Sequence, residues 1–349
     1  MKKIRLGRTG LMVGASSFGA LPIQRVPMSE AKRILRKAYD CGMNYFDTAN
    51  AYSDSEEKIG AALSDVRDKI VISTKSGGGD YATVLGHIQL SLKRMKTDYI
   101  DIIQIHNPSV LPDPNDPNGP YAACVEAKKR GYVRFIGITN HGRGRARDAV
   151  LSGLYDTLQF PLTCIAPQED LDLAYLAHEH DMGFIAMKGM AGGLIAHAEA
   201  AFVYMKQHPF IVPVWGIQRE CELDQFIELE KNPPRYEDWA DEIERECRTL
   251  SGNFCHGCGY CEPCSVGIEI HTAARVSLLL RRSPPESLMD DKSYAMMARI
   301  KDCIHCNACK KRCPYGLNTP SLLQENLADY MSFRDGWMAR EALIRKKQG

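Results

Sequence analysis

Tyr99-Ile100-Asp101-Ile102-Ile103-Gln104-Ile105-His106 is the stretch on which the fold turns. It is an apolar run of strand length, rich in β-branched residues, preceded by Lys96-Thr97-Asp98 and ended by Asn107-Pro108. Similar runs recur on both sides of it, at Met12–Phe18, Asn44–Asp47, Ile70–Lys75, Val133–Thr139, Thr157–Phe160, Gly183–Met187 and Ile211–Trp215. Between and after them lie helical patterns near Ser29–Cys41, Ser55–Leu63, Thr83–Met95, Tyr121–Arg130, Arg143–Leu151, Leu171–His180, Ala198–Gln207 and Glu222–Leu229. Strands alternating with helices in this number predict an α/β fold, a (β/α)8 TIM barrel, with an open doubly wound sheet as the alternative. No G-x-G-x-x-G follows the first strand, and Gly77-Gly78-Gly79 comes after the third, so a Rossmann phosphate loop has no support.

In such barrels the chemistry sits at the C-terminal ends of the strands. Asp47 ends the second predicted strand, Lys75 the third and His106 the fourth, and Tyr52 lies in the loop after Asp47. A phenol with a reference pKa near ~10 is a poor acid at neutral pH until a neighbouring ammonium favours its phenolate. The expected division of labour makes Tyr52 the general acid toward a carbonyl oxygen, Lys75 its tuner, Asp47 the partner that holds Lys75, and His106 the group that orients the oxygen. Each also has a plain reading: a structural Asp47–Lys75 pair, a loop tyrosine, a satisfied histidine. Four such types at neighbouring strand ends favour the chemical one.

The thirteen cysteines divide sharply. Cys41, Cys124, Cys164, Cys221 and Cys247 are scattered and read as small buried residues. The other eight form two groups: Cys255, Cys258, Cys261 and Cys264, then Cys303, Cys306, Cys309 and Cys313 followed by Pro314. The second group is the C-x2-C-x2-C-x3-C-P run that holds a [4Fe–4S] cluster, in which the fourth cysteine ligates the other cluster. The first group ends C-x2-C-Ser and lacks the proline. Crossing the fourth ligands assigns Cys255, Cys258, Cys261 and Cys313 to one cluster and Cys303, Cys306, Cys309 and Cys264 to the other. Four-cysteine zinc sites are the alternative, but they usually separate two pairs widely. His256 and His305 lie inside the loops and are expected to be bystanders. The segment between the groups carries helical patterns at 271–282 and 293–300, and the tail carries two more, at 321–330 and 338–347.

Composition bounds the rest. A chain of 349 residues with 44% hydrophobic and 25% charged residues is expected to be a soluble globular protein of more than one domain. A formal net charge of +1 argues against nucleic-acid binding; Lys310-Lys311-Arg312 could dock an acidic partner, although such a run is more often plain solvated surface. No run approaches the ~18–20 apolar residues of a membrane span, and no apolar segment follows the basic N-terminus. A cytoplasmic location is expected, where disulfides are rare.

Several of these segments resemble the aldo/keto reductase family. They are Asn44-Tyr-Phe-Asp-Thr-Ala-Asn-Ala-Tyr52-Ser with Ser55-Glu-Glu-Lys-Ile-Gly60, Ile72-Ser-Thr-Lys75, Asp98-Tyr-Ile-Asp-Ile-Ile-Gln-Ile-His106, Gly131-Tyr-Val-Arg-Phe-Ile-Gly-Ile-Thr-Asn140, Ala186-Met-Lys-Gly189 and Ala191-Gly-Gly193. The likeness covers about residues 1–230, and the cysteine-rich remainder is similar to the branch with a C-terminal ferredoxin-like domain. It implies a nicotinamide cofactor, NADPH or NADH, and a small carbonyl substrate. Carried over by position, Thr139, Asn140 and Gln159 would meet the nicotinamide amide and Phe160 its ring. Lys188, Gly192 and Gly193 would line the pyrophosphate, and Gly216 and Arg219 the adenosine phosphate. Gln218 stands where the family often has a base, and Gln225-Phe226 replaces its Glu-Asn.

The expected organisation is a barrel over 1–235, a mostly helical two-cluster domain over 236–325 and a helical tail over 326–349. The leading functional expectation is an NAD(P)H-dependent carbonyl reductase carrying two [4Fe–4S] clusters in an electron-transfer or structural role. Nicotinamide moves two electrons as hydride and a cluster moves one, so a flavin would bridge the two. A ferredoxin-coupled oxidoreductase with a flavin or no nicotinamide, served by an electron-transfer protein, is therefore the second expectation. A non-enzymatic electron-carrying or regulatory subunit is the third.

Overall fold

The structure is a computed structural model describing residues 1–250, 254–282 and 285–348. It divides into two units: residues 1–190 with 197–247, and residues 191–196 with 248–349. The second unit thus begins at Arg248 rather than at 236, takes in a short loop from between the barrel's elements, and includes the C-terminal tail.

The first unit is a closed barrel of eight parallel strands. An antiparallel hairpin, β1 (Lys3–Arg5) and β2 (Met12–Gly14), precedes it. The barrel comprises β3 (Ser17–Gly19), β4 (Tyr45–Asp47), β5 (Val71–Ser76), β6 (Ile100–His106), β7 (Val133–Thr139), β8 (Thr157–Pro161), β9 (Gly183–Met187) and β10 (Ile211–Gly216), in that order around the ring. Each is followed by a helix: α1 (Met28–Asp40), α2 (Ser55–Leu63), α3 (Tyr81–Met95), α4 (Pro120–Lys129), α5 (Arg143–Ser152), α6 (Gln168–Glu179), α7 (Ala198–Lys206) and α8 (Glu220–Lys231).

One expected strand divides. The run 12–18 supplies β2, whose register with β1 pairs Ile4 with Val13, and then β3, which pairs with β4 and β10. Apolar residues of the hairpin explain the division: Ile4, Leu6, Leu11 and Val13 pack with Tyr45, Val71, Ile102, Ile185 and Val212 at the barrel's floor. Burial against strand starts rewards a separate hairpin over one long strand. Among the scattered cysteines Cys124 and Cys164 are buried, Cys41 is intermediate, and Cys221 and Cys247 are exposed, which corrects the expectation of burial for the last two.

Helix α9 (Ala240–Thr249) belongs to the first unit up to Cys247, and the second unit carries α10 (Ile270–Ala273), α11 (Val276–Arg282), α12 (Asp291–Ala298), α13 (Ala308–Arg312) and α14 (Thr319–Gln348). The helix expected over 271–282 is two short ones. The Asn326 side chain of α14 accepts a hydrogen bond from the Ser277 amide at 2.9 Å, so a tertiary contact satisfies the donor at the break. The two helices expected in the tail are one continuous helix. Gly336, where the pattern lapses, costs an exposed helix only about 1 kcal/mol. The core joins Ile268, Ile270, Val276, Leu280, Met297, Ile300, Leu323 and Tyr330.

Candidate active site and cysteine loops

Strand register sets out the barrel's polar centre. Asp47 pairs with Ser73, Lys75 with Gln104, and His106 with Thr139, which in turn pairs with Gln159. Side chains two apart on one strand share a face, so Ser73 with Lys75, and Gln104 with His106, point the same way.

Asp47 is the hub. Lys75 Nζ donates to both its carboxylate oxygens at 2.7 Å and to the Thr48 carbonyl oxygen at 2.6 Å. Ser73 Oγ and Gln104 Nε2 donate to Asp47 Oδ1, and Gln159 Nε2 donates to Oδ2 at 3.0 Å. Asp47 and Lys75 are both buried, at 5% and 2% exposure. A buried ion pair is tolerable only when its remaining donors and acceptors are matched, and here the ammonium places all three of its protons. Burial nevertheless pulls the Lys75 ammonium below the usual lysine value, against the opposing attraction of Asp47.

Tyr52 lies beside this pair. Lys75 Nζ stands 5.4 Å from the centre of the Tyr52 ring, and the His106 ring meets Tyr52 edge-on with centroids 6.0 Å apart. Burial, reinforced by the charge of Lys75, pushes the His106 imidazole down to about 4. His106 is therefore neutral at neutral pH and offers one N–H donor and one acceptor. An acid, a cation beside it and a neutral donor at one barrel end can protonate and orient a carbonyl oxygen.

Ser73 and Gln104, which sequence reasoning left out, belong to this network. The two-residue alternation on β5 and β6 was the available signal, since each stands two positions before a residue already singled out. Gly137 leaves Gln104 room: a Cβ there would sit 2.2 Å from Thr157 Oγ1 and 3.2 Å from Gln104 Cγ.

The residues carried over for a nucleotide are arranged as follows. Gln159 gives its amide nitrogen to Asp47 and accepts from Gln104 at 2.6 Å. Asn140 donates to the Pro108 carbonyl oxygen and accepts from the Gly142 amide, and Thr139 Oγ1 accepts from the Asn107 amide. Phe160 is buried in β8. Lys188 has left-handed backbone. Gly216 closes β10, and Arg219 pairs at the start of α8 with Glu222, which also accepts from the Gln218 and Arg219 amides. Gly192 and Gly193 fall in the second unit, where Arg275 donates to the Gly192 carbonyl oxygen.

Two cavities hold the grouped cysteines. Cys255, Cys258, Cys261 and Cys313 line one, with Gly259, Ile270 and Tyr315. Cys264, Cys303, Cys306 and Cys309 line the other, with Ile268, Ile304 and Leu323. The loops turn through left-handed residues, Gly257, Gly259, His305 and Asn307, a backbone form that lets amides face inward. The Gly257 amide donates to Cys255 Sγ at 3.4 Å. Four thiols with apolar walls fit an iron–sulfur cube in each cavity, and in the first an amide is also aimed at sulfur. His256 is stacked between Phe254 and Tyr315, and His305 is exposed. Arg312, read in the sequence only as part of a basic run, donates to the Pro263 carbonyl oxygen at 2.9 Å and so ties the second cysteine run to the end of the first.

Residues 10–245 match the aldo/keto reductase family, and residues 254–318 match a 4Fe-4S dicluster domain. The chain belongs to the aldo/keto reductase family and carries a 4Fe-4S dicluster domain C-terminal to the barrel. It is 28% identical over 229 residues to the oxidoreductase YqkF of Bacillus subtilis, covering 60% of this chain and 72% of that protein. It is 31% identical over 218 residues to the L-glyceraldehyde 3-phosphate reductase of Escherichia coli O157:H7, covering 54% and 61%. The chain thus spans less than two thirds of that second relative's length. Among solved structures it resembles the holo form of aldo-keto reductase AKR11C1 from Bacillus halodurans, with TM-score 0.63, 22% identity and coverage of 70% and 96%. It also resembles an aldo-keto reductase from Klebsiella pneumoniae in complex with NADPH, with TM-score 0.59, 20% identity and coverage of 70% and 94%. At these identities the structural likeness concerns the fold. Among the described residues no helix is long and apolar enough to cross a membrane.

Proposed function

We propose that this oxidoreductase reduces a small aldehyde or ketone, with Tyr52 as the general acid and NADPH as the hydride donor. The observation that carries the proposal is the Lys75 ammonium, held by both oxygens of Asp47 at 2.7 Å and standing 5.4 Å from the Tyr52 ring centre. The bound nicotinamide would supply the hydride. Tyr52 gives its phenolic proton to the carbonyl oxygen, Lys75 stabilises the phenolate left behind, and neutral His106 donates to the same oxygen and sets its direction. Hydride and proton together convert the carbonyl to an alcohol. The likeness to the NADPH-bound Klebsiella aldo-keto reductase in fold and to the E. coli L-glyceraldehyde 3-phosphate reductase in sequence supports this reading.

In the same proposal the C-terminal domain holds two [4Fe–4S] clusters, one on Cys255, Cys258, Cys261 and Cys313 and one on Cys264, Cys303, Cys306 and Cys309. These clusters supply one-electron transfer.

A specific observation favours a second reading, a ferredoxin-coupled oxidoreductase with a flavin or no nicotinamide. The side chains of Asn140, Gln159 and Arg219 all have internal partners. An anaerobic fluorescence titration with NADPH separates the two. Saturable binding, followed by turnover of simple aldehydes that Tyr52→Phe reduces by about 10²–10⁴-fold, is expected. Absence of NADPH binding by the iron-loaded protein would select the second reading.

A further inference from the structure

We propose that the exposed edge of the second cysteine run is the docking face for a small acidic one-electron carrier protein. The proposal rests on the cluster reading of Cys264, Cys303, Cys306 and Cys309.

The two cysteine runs differ in exposure. In the first, Cys255 and Cys261 are buried, whereas in the second Cys306 is exposed. Ile304 is 63% exposed although its side chain is wholly apolar. An exposed apolar side chain within a ligand loop is the kind of small contact that transient redox partners use.

The runs also differ in charge. From Phe254 to Cys264 the only charged residue is Glu262. Around the second run Lys301, Lys310, Lys311 and Arg312 are all exposed. Lys301, Lys310 and Lys311 form no ion pair among the described residues. The acid on this stretch, Asp302, is engaged by Arg299 at 3.4 Å. Arg312 is turned inward through its bonds to the Ala308 and Pro263 carbonyl oxygens, which leaves the lysines as free charges.

Exposed, unpaired ammonium groups on the same cysteine run as an exposed apolar side chain and an exposed cysteine are complementary to an acidic surface. Long-range attraction raises the encounter rate, and the small apolar contact lets the complex part again. Each encounter moves one electron between carrier and domain, oxidising one by one electron and reducing the other by one. No bond is made or broken and no proton moves. The net charge of the whole chain hides this feature, because it is a local imbalance.

The test uses the full, iron-loaded chain under anaerobic conditions, with reduced flavodoxin as the acidic carrier. Stopped-flow reduction of the visible iron–sulfur absorbance is expected to slow steeply as salt rises. Lys310→Glu with Lys311→Glu should lower the second-order rate constant at low salt at least tenfold. Lys301→Glu alone should lower it severalfold, which covers the case in which the double variant does not load with iron. Reduction by methyl viologen radical should be unchanged in every iron-loaded variant, and Lys129→Glu with Arg147→Glu on the barrel should behave as the parent. A rate indifferent to salt, or indifferent to Lys301, Lys310 and Lys311 while viologen still reduces the protein, overturns the docking face and leaves the clusters standing. A protein that holds no iron, or that viologen cannot reduce, overturns the cluster reading and the docking face with it.

Discussion

Cys309 and Cys313 stand on one turn of chain, within and just after α13, and they line different cavities. Cys309 shares its cavity with Cys264 of the first run, and Cys313 shares its cavity with Cys255, Cys258 and Cys261. Neither run closes a set of four alone, so each cavity needs both ends of the domain.

This crossing gives a direct test. Cys313→Ser should disturb the cluster of the first run and Cys309→Ser that of the second, while Cys264→Ser should behave like Cys309→Ser. Iron content and paramagnetic resonance of reduced protein would read which of two signals is lost. Equal behaviour of Cys313→Ser and Cys309→Ser would overturn the crossed assignment.

Replacing Lys75 with Met removes the ammonium while leaving Asp47 buried among Ser73, Gln104 and Gln159. An uncompensated buried charge of this kind costs about 3–5 kcal/mol, so the variant should melt well below the parent. Lys75→Met with Asp47→Asn should recover much of that stability and none of the carbonyl reduction. Recovery of turnover in the double variant would remove Lys75 from the chemistry.

His106 gives a pH prediction with a defined sign. Its folded value is about 4, below the reference value of 6.5. Between these limits the unfolded chain binds the proton and the folded chain does not, so His106 lowers stability as pH falls from 6.5 toward 4 and has no such effect above 6.5. Denaturant titrations at pH 7 and pH 5 should show a smaller pH-dependent loss in His106→Gln than in the parent. An unchanged loss would mean that His106 titrates normally.

Gln159→Leu should cost about 1–3 kcal/mol, because it leaves Gln104 and one Asp47 oxygen short of a partner. The measurement is the melting temperature beside that of Phe160→Leu, a nearby change that removes no hydrogen-bonding group. If Gln159 also holds the nicotinamide, its loss should weaken NADPH binding in the same protein.

Arg275 ties the 191–196 loop to the first cysteine run. It donates to the Gly192 carbonyl oxygen, and a Cβ at Gly257 would lie 2.5 Å from its Nη1. Arg275→Met should raise amide hydrogen exchange over 191–196 while leaving the barrel strands protected. Unchanged exchange there would show that the loop is held by other contacts.

Much of the architecture was legible because it rests on local periodicity. β7 and β9 begin and end where their apolar runs do, since buried parallel strands read as continuous hydrophobic segments. The divided first strand was not legible, because a hairpin and a strand share one alternation and only packing against Tyr45 and Val71 distinguishes them. The single tail helix was not legible either: a glycine reads as a break in sequence, yet it is a modest cost in a solvated helix.

The sequence by itself determined the barrel class, the family, the grouping of eight cysteines and the strand-end positions of Asp47, Lys75 and His106. These follow from residue type, spacing and period, which are properties of neighbours along the chain. Only the tertiary structure decided that Gln104, Gln159 and Ser73 converge on Asp47 and that Arg275 reaches Gly192. Those contacts join residues remote in sequence, and barrel closure and strand register, rather than local pattern, set which polar atoms meet.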